Sequence, residues 1–471
     1  MSEQPRIASI RLNGMFGHQQ LMADLQPGLN LLHGKNGTGK TTLLHVLANL
    51  LEGDLYRFFG IRFRRLIFRL YDGTEIVLEQ MHDSRESDPV EIRVRLRGKD
   101  LGTLSPITPV PELIASSIRE IFPSRPVYLP AFRSILEAAD EREQFNVFRE
   151  SASTQAEFEA IKANEERYIR DRRQRGSARI PEKADATAAK TMLSRRWFGE
   201  FVPIIRYPSV ADVSRQLREE FDQAYFNVNR KNQETFASVF TTVLQILEKR
   251  MEYADEETRG LIKRVQKHLK ELEAKDTRKL ERPNDAAQLF EMEESVPGEQ
   301  DSIRAILKLY DSALVSRASR EEEAFKGLRL LEDSFNRFIT PKALRLVGSG
   351  FRGGRSPAVS YPNGHQIKLG VLSSGERQVL TMLFCATHMS PADGTMLIDE
   401  PEISLHVDWQ RIILDEIMRQ AGDRQVIVCT HAPEVVAEHR KALVELASSA
   451  WSLDGKFAGD PDIDTETTAR D

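Results

Sequence analysis

The stretch Gly34-Lys35-Asn36-Gly37-Thr38-Gly39-Lys40-Thr41 decides the fold of this 471-residue chain. It follows the apolar run 29–32 and opens a helical pattern over 41–51, which is the strand–loop–helix setting of a phosphate loop. The glycines let backbone amides turn inward around phosphate oxygens, and Lys40 adds a positive charge near the outer phosphates. The sequence therefore predicts an ATP site lined by residues 34–41 and by Thr42.

A second stretch, Met396-Leu397-Ile398-Asp399-Glu400-Pro401, predicts a buried strand that ends in two acids. A core strand gains nothing from paired carboxylates at its end, so the pair indicates chemistry. We expect Asp399 to bind Mg²⁺ together with the Thr41 hydroxyl. We expect Glu400 to act as the general base that polarises the attacking water.

Two further segments complete the pattern. Leu372-Ser373-Ser374-Gly375-Glu376 has the hydroxyl caps, glycine and acid of a helix start, and residues 425–431 predict a buried strand that leads to His431. With the phosphate loop and the acid pair, in this order, they resemble the ABC-type ATPase heads of the Rad50, SMC, RecF and OLD branch.

The resemblance implies how these residues work. Ser373, Ser374, Gly375 and Glu376 would close over a nucleotide bound by the opposite subunit, and residues 402–406 match the D-loop that couples the two sites. Lys40, Glu400 and His431 would form the catalytic group, with His431 facing the γ-phosphate or the attacking water. Since one chain holds only half of each site, the resemblance implies a homo-oligomer, a dimer at least and a hexamer in the higher range.

Shifts in composition predict four parts of the chain. Residues 1–133 and 341–458 would be the two halves of the head, 134–340 a helical insertion domain, and 459–471 a disordered tail. The expected fold class is α/β, a mixed β-lobe plus a parallel phosphate-loop core, interrupted by the helical insertion. Alternating apolar residues predict strands at 7–12, 63–71, 75–80 and 91–97, and helical spacing predicts long helices over 234–275 and 301–338.

The charge balance gives no overall attraction to nucleic acid. There are 66 basic and 71 acidic residues, which give a net charge of -5. Neither an apolar signal at the start nor a run of about 18 apolar residues is present, so the sequence predicts a cytoplasmic protein that does not enter a membrane. Cys385 and Cys429 lie in apolar runs, which favours reduced core thiols over a disulfide or a zinc site.

Arginines at three places in the sequence each have two possible interpretations, one functional and one structural. On the strand 63–71 and just before it, a solvated strand face is favoured over a nucleic-acid patch. Arg133 would reach phosphate or magnesium-bound water, or else serve as a structural arginine in a turn, which is the favoured interpretation. The third group would bind a polyanion or belong to a solvated loop; it comprises Arg167, Arg170, Arg172, Arg173, Arg175 and Arg179.

An OLD-like head with a mid-sized insertion and no fused nuclease resembles the ATPase subunits of bacterial two-gene anti-phage systems, first of the PARIS type and then of the Septu type. The resemblance implies a separate TOPRIM-type nuclease effector and a phage-encoded trigger protein, an acidic DNA mimic among the options. The alternative is a RecF- or Rad50-like repair ATPase that binds DNA directly. A transporter subunit is disfavoured, because the turn 128–133 is OLD-like and lacks the Q-loop glutamine.

Overall fold

The structure, a computed structural model, describes residues 5–16, 19–34, 37–82, 89–138, 152–174, 184–249, 300–346, 357–389 and 394–450. The chain divides into two compact units. The first comprises Met1–Ser177, Glu182–Tyr207 and His388–Asp471, and the second Ala178–Pro181 and Pro208–Thr387. The four predicted domains, whose boundaries differ from these, stay a prediction, and the predicted tail 459–471 lies outside the described residues.

The strands follow in chain order: β1 (Ile7–Met15), β2 (Gln19–Asp24), β3 (Leu29–His33), β4 (Arg65–Leu70), β5 (Glu75–His82), β6 (Pro89–Leu96), β7 (Lys99–Leu104), β8 (Val127–Leu129), β9 (Ala343–Leu344), β10 (Ala358–Ser360), β11 (Gln366–Lys368), β12 (Met396–Asp399), β13 (Val426–Thr430), β14 (Leu443–Glu445) and β15 (Ala447–Ala450). The α-helices are α1 (Lys40–Glu52), α2 (Glu112–Ile121), α3 (Arg133–Ala138), α4 (Ala152–Gln174), α5 (Ala184–Phe198), α6 (Val210–Lys249), α7 (Gln300–Asn336), α8 (Ser374–Phe384), α9 (Val407–Ala421) and α10 (Pro433–Ala437).

An antiparallel sheet in the order β15-β2-β1-β4-β5-β6-β7 forms the β-lobe of the first unit. On β4, Leu66, Phe68 and Leu70 are buried and alternate with the more exposed Arg65, Ile67 and Arg69, as a half-buried strand requires. Arg69 Nε lies 2.8 Å from Glu75 Oε2 on β5. The neighbouring Arg65 pairs with a β5 glutamate in the same way. The favoured interpretation of this face as a solvated strand surface is confirmed for these two arginines.

The core of the first unit is a parallel sheet in the order β14-β3-β13-β12-β8. β8, β12 and β13 are buried at every position, which explains their almost continuous apolar sequences. Carboxyl ends of parallel strands meet at one edge of a sheet, so the residues that follow β3, β12 and β13 come together there.

Buried ion pairs of Arg206 join α4 to the end of α1, and α5 packs against α4. Arg206 donates to Glu52 at 2.7 and 2.8 Å and to Glu165 on α4 at 2.7 and 3.1 Å. Apolar side chains of α4 and α5 pack against each other around Phe158 and Met192. The helix that begins in the phosphate loop is therefore held at its far end by charge pairs that are largely shielded from water.

In the second unit, α6 and α7 pack along each other, and β9, β10 and β11 form a small antiparallel sheet. The predicted start of the first long helix at Glu234 is wrong, because α6 begins at Val210. The cause is a capping pair: Ser209 Oγ accepts from the Asp212 amide at 3.1 Å, and Asp212 Oδ2 accepts from the Ser209 amide at 3.3 Å. The part of the predicted helix beyond Lys249 lies outside the described residues.

This arrangement confirms the predicted α/β class: the first unit contains an antiparallel β-lobe and a parallel phosphate-loop core, and the second unit contains the long helices α6 and α7. Within the described ranges, none of the helices has both the length and the apolar character needed to cross a bilayer.

Candidate functional site

The phosphate loop lies where β3 ends and α1 begins. Gly37 and Gly39 adopt positive φ values of 79° and 86°, which favour glycine over any residue with a side chain. A Cβ on Gly39 would also lie 2.8 Å from a terminal methyl group of Leu21 on β2. The backbone of this loop therefore depends on glycine at both positions, whereas Lys35 and Asn36 lie outside the described residues.

The Lys40 ammonium is held inside the loop. The side chain is buried, and its Nζ donates to the carbonyl oxygen of Gly34 at 2.7 Å. Gly39 provides no side chain that could cap α1, and the N-terminus of a helix attracts anions through its backbone amides and dipole. The loop thus combines a fixed positive charge with a helix start. Thr38 in the loop and Thr42 in the first turn of α1 are half-buried.

The Thr41 hydroxyl and the Asp399 carboxylate meet across the edge of the parallel sheet. Thr41 Oγ1 donates to Asp399 Oδ2 at 3.0 Å. Burial raises the pKa of Asp399 to about 6; the hydrogen bond from Thr41 and the charge of Arg133 oppose the rise, and the negative charges of Glu400 and Glu402 add to it. A cation at the site would stabilise the charged form of this buried carboxylate.

A hydroxyl and a carboxylate oxygen are ligands that Mg²⁺ prefers, so Thr41 and Asp399 fit that ion. The described part of the chain has no cluster of three His, Cys, Asp or Glu side chains able to hold a metal. An ion held by Thr41 and Asp399 would therefore take further oxygen ligands from nucleotide phosphates or water.

Glu400 and His431 form a second pair at the same edge. Glu400 follows β12 directly, and its amide donates to the Cys429 carbonyl on β13 at 2.8 Å. His431 Nε2 lies 3.1 Å from Glu400 Oε1, and the two side chains are 36% and 30% exposed. The partial exposure leaves the carboxylate accessible to a water molecule while the imidazole stands beside it.

Glu400 has a φ of +48°, a backbone region that non-glycine residues rarely occupy. Arg133 holds this part of the chain. Its guanidinium donates to the carbonyl oxygens of Pro130 at 3.0 Å, Asp399 at 2.9 Å, Glu400 at 2.9 Å and Pro401 at 3.2 Å. The side chain is completely buried, so the favoured structural interpretation of Arg133 is confirmed. What sequence reasoning missed is that this arginine fixes the backbone of the acid pair.

A buried polar pair lies beneath the loop. His45 Nε2 on α1 and the Tyr128 hydroxyl on β8 are 2.8 Å apart. Burial lowers the pKa of His45 to about 4 and raises the pKa of Tyr128 well above its usual value. Both groups are consequently neutral near pH 7, and their hydrogen bond joins the phosphate-loop helix to the edge strand of the core sheet.

The predicted signature residues belong to the second unit. Ser373 caps α8: its Oγ accepts from the Glu376 amide at 3.3 Å, and Glu376 Oε2 accepts from the Ser373 amide at 2.9 Å. Burial would raise the pKa of Glu376, but hydrogen bonds from Lys342 and Ser373 outweigh it and the pKa is lowered. The carboxylate of Glu376 thus stabilises its own helix, whereas Ser373 and Ser374 are exposed and Gly375 is buried. The contacts predicted for these four residues with a partner's nucleotide stay a prediction.

The first unit therefore brings together Lys40, Thr41, Asp399, Glu400 and His431. Of the predicted arginine cluster, Arg167 and Arg170 are exposed on α4, Arg172 and Arg173 lie on the same helix, and Arg175 and Arg179 lie outside the described residues.

The model of the AAA ATPase domain family (AAA_15) matches residues 6–436. The chain belongs to this family. Membership in the AAA ATPase domain family identifies the protein as a nucleotide-binding ATPase, as the phosphate loop predicted.

The retron Ec83 probable ATPase of Escherichia coli is 27% identical to the chain over 139 residues, which cover 24% of this chain. The match spans about a quarter of that relative, 26% of its length. Smc head domains are among the solved structures that align with the chain along most of its length. One is the Smc head domain of Pyrococcus furiosus with an extended coiled coil, bound to the C-terminal domain of ScpA. It has a TM-score of 0.38 at 12% identity, and the match covers 95% of the present chain and 96% of the Smc chain. The Smc head domain of Pyrococcus yayanosii with a coiled coil and joint has a TM-score of 0.36 at 14% identity. This match covers 96% of the present chain and 98% of the Smc chain.

Proposed function

We propose that the protein is a magnesium-dependent ATPase of the ABC type that uses Glu400 as its base. The observation that carries this proposal is the meeting of two pairs, Thr41 with Asp399 and Glu400 with His431, at the edge of the sheet where the phosphate loop begins. Lys40 places a positive charge in that loop, where the outer phosphates of ATP would bind.

Each residue has a distinct part in the proposed reaction. Lys40 and the loop amides bind the β- and γ-phosphates, and Thr41 and Asp399 hold the metal. Bound Mg²⁺ would neutralise charge on the phosphates. Glu400 accepts a proton from the attacking water, and His431, 3.1 Å away, orients that carboxylate or the γ-phosphate. Arg133 keeps the backbone of the acid pair in place.

Glu400→Gln tests the assignment, because it keeps the size of the side chain and removes the base. We expect kcat to fall by about 100-fold or more while ATP still binds. Steady-state ATPase assays and titration with a fluorescent ATP analogue measure the two effects. Glu438→Gln, an exposed glutamate past the end of α10, is the matched control and should behave like the parent. Near-normal turnover of Glu400→Gln would exclude Glu400 as the base.

We further propose that two chains complete each other's sites through Ser373, Ser374 and Gly375. Support comes from the exposure of both serines at the start of α8, where a second chain can reach them. ATP should then convert Glu400→Gln into a stable dimer or a larger ring, measured by light scattering during gel filtration. Lys40→Ala, which removes the charge that meets the phosphates, should stay in the nucleotide-free state. A monomer in every condition would rule out the shared site.

For the biological role we propose the sensor and scaffold subunit of an anti-phage complex that controls a separate TOPRIM-type nuclease. The resemblance to two-gene defence ATPases and the similarity to a retron ATPase support this role. The repair ATPase is the alternative; the net charge of -5 and the paired arginines of β4 count against direct DNA binding.

A pull-down of the tagged chain from its native host, with and without phage infection, tests the role. Co-purification of a nuclease, released when a phage protein binds, would support the defence role. Stimulation of the ATPase by duplex DNA at micromolar concentration, with no nuclease partner, would favour the repair role.

A further inference from the structure

Glu402 makes a concentrated set of hydrogen bonds beside the proposed catalytic pair. Its Oε1 accepts from Thr430 Oγ1 at 2.8 Å, from the His431 amide at 2.8 Å and from the Ala432 amide at 3.1 Å. All three donors belong to the end of β13 and the loop after it, the segment that carries His431. Hydrogen bonds to a carboxylate are stronger than those between neutral groups.

We propose that Glu402 is a positioning residue that sets the His431 imidazole against Glu400. The inference rests on the proposed function, in which Glu400 and His431 act together. Glu402 accepts the amide of His431 itself, so it fixes the backbone from which the imidazole extends. With that backbone fixed, only the two side-chain torsions of His431 decide where Nε2 lies.

The register of the core sheet makes this arrangement specific. Asp399 pairs with Cys429 across β12 and β13, and the Glu400 amide donates to the Cys429 carbonyl at 2.8 Å. The turn after β12 is thus bound to β13 twice, through a donor at Glu400 and an acceptor at Glu402. Both bonds lead to the end of β13 and the segment that presents His431.

A further hydrogen bond, between Thr430 and Ala432, strengthens the arrangement. Thr430 is completely buried, and its Oγ1 accepts from the Ala432 amide at 3.1 Å while it donates to Glu402. Thr430 and Glu402 thus share the Ala432 amide and fold the loop tightly before α10. A role in capping alone would stabilise this loop and the short helix without any effect on the reaction.

Three variants separate positioning from capping. Glu402→Ala removes the acceptor, Glu402→Gln keeps a carbonyl oxygen in its place, and Thr430→Val removes one donor at nearly constant volume. We expect Glu402→Ala to lower kcat by about 10- to 100-fold with KM for ATP within about twofold, since the phosphate loop is untouched. Glu402→Gln should recover most of that loss, and Thr430→Val should fall between the two.

The controls keep this inference apart from the proposed function. Glu438→Gln is the exposed control, and Glu400→Gln reports whether the measured turnover belongs to this site. If Glu400→Gln is inactive and Glu402→Ala has the kcat of the parent, the positioning role is wrong and the proposed function stands. The same holds if Glu402→Gln is as impaired as Glu402→Ala.

An ATPase-independent readout is the ring resonance of His431 in histidine-labelled, nucleotide-free protein, assigned with His431→Gln. It should move in Glu402→Ala and stay near the parent position in Glu402→Gln. An unmoved resonance in Glu402→Ala would overturn the inference even if the parent protein hydrolysed no ATP.

Discussion

Lowering the pH is expected to destabilise the first unit through His45. The folded protein holds this ring neutral, because burial lowers its pKa from 6.5 to about 4. The unfolded chain takes up the proton near pH 6.5, so the stabilisation is complete above that pH and is lost as the pH falls toward about 4. Each unit of difference between the folded and unfolded pKa corresponds to about 1.4 kcal/mol of unfolding free energy. The full loss is therefore about 3 kcal/mol, of which about 2 kcal/mol is lost by pH 5.

His45→Gln isolates this contribution. Glutamine can keep a hydrogen bond to Tyr128 but has no titratable group in this range. Urea unfolding of both proteins near pH 7.5 and near pH 5, followed by tryptophan emission, gives the difference in unfolding free energy, since the three tryptophans of the sequence fall within the bounds of the first unit. All other titrating groups are shared and cancel in that difference.

We expect the parent to lose about 2 kcal/mol relative to His45→Gln between these two pH values. A difference that stays constant to within about 0.5 kcal/mol would show that the folded protein tolerates a charged ring at this position.

Two further predictions concern the loop and the acid pair. Gly37→Ala and Gly39→Ala should each lower the free energy of unfolding by about 1 kcal/mol, because alanine strains the left-handed backbone. Gly39→Ala should melt at a lower temperature than Gly37→Ala, because its new Cβ meets Leu21. Calorimetry of nucleotide-free protein compares the two variants. Arg133→Lys keeps the charge but not the planar fork that serves four carbonyl groups, so kcat should fall about 10-fold or more with little change in ATP affinity. A kcat equal to that of the parent would mean that Glu400 keeps its backbone conformation without the guanidinium.

Local pattern was sufficient for much of the fold. β4 is predictable because the buried Leu66, Phe68 and Leu70 occupy every second position of an apolar and basic stretch. β7 was not predicted, since it is an edge strand whose residues are mostly exposed or half-buried and show little alternation. β2 was missed because it begins with two glutamines, one of them buried. The observed start of α6 differs from the predicted one because the cap formed by Ser209 and Asp212 begins the helix well before the apolar spacing on which the prediction rests.

The candidate site divides in the same way. The phosphate loop and the Asp399-Glu400 pair depend on fixed spacing within a few residues, so the sequence alone locates them. Arg133 and Glu402 act across neighbouring strands, on residues 266 to 268 and 28 to 30 positions away respectively. Those contacts depend on the register of β8 with β12 and of β12 with β13, which no local stretch of sequence contains.

The place of β3 in the core sheet affects how the protein is made. This strand, Leu29–His33, lies between β13 and β14, so both of its neighbours are synthesised roughly 400 residues later. At about 5–20 residues per second, a ribosome needs about 20–80 s to reach them. For that interval the nascent chain carries an apolar strand with two open edges, a target for wrong pairing or for chaperones. Thr41, at the end of the loop that follows β3, can meet Asp399 only after residue 399 has been made, so the nascent chain lacks this pair for most of its synthesis.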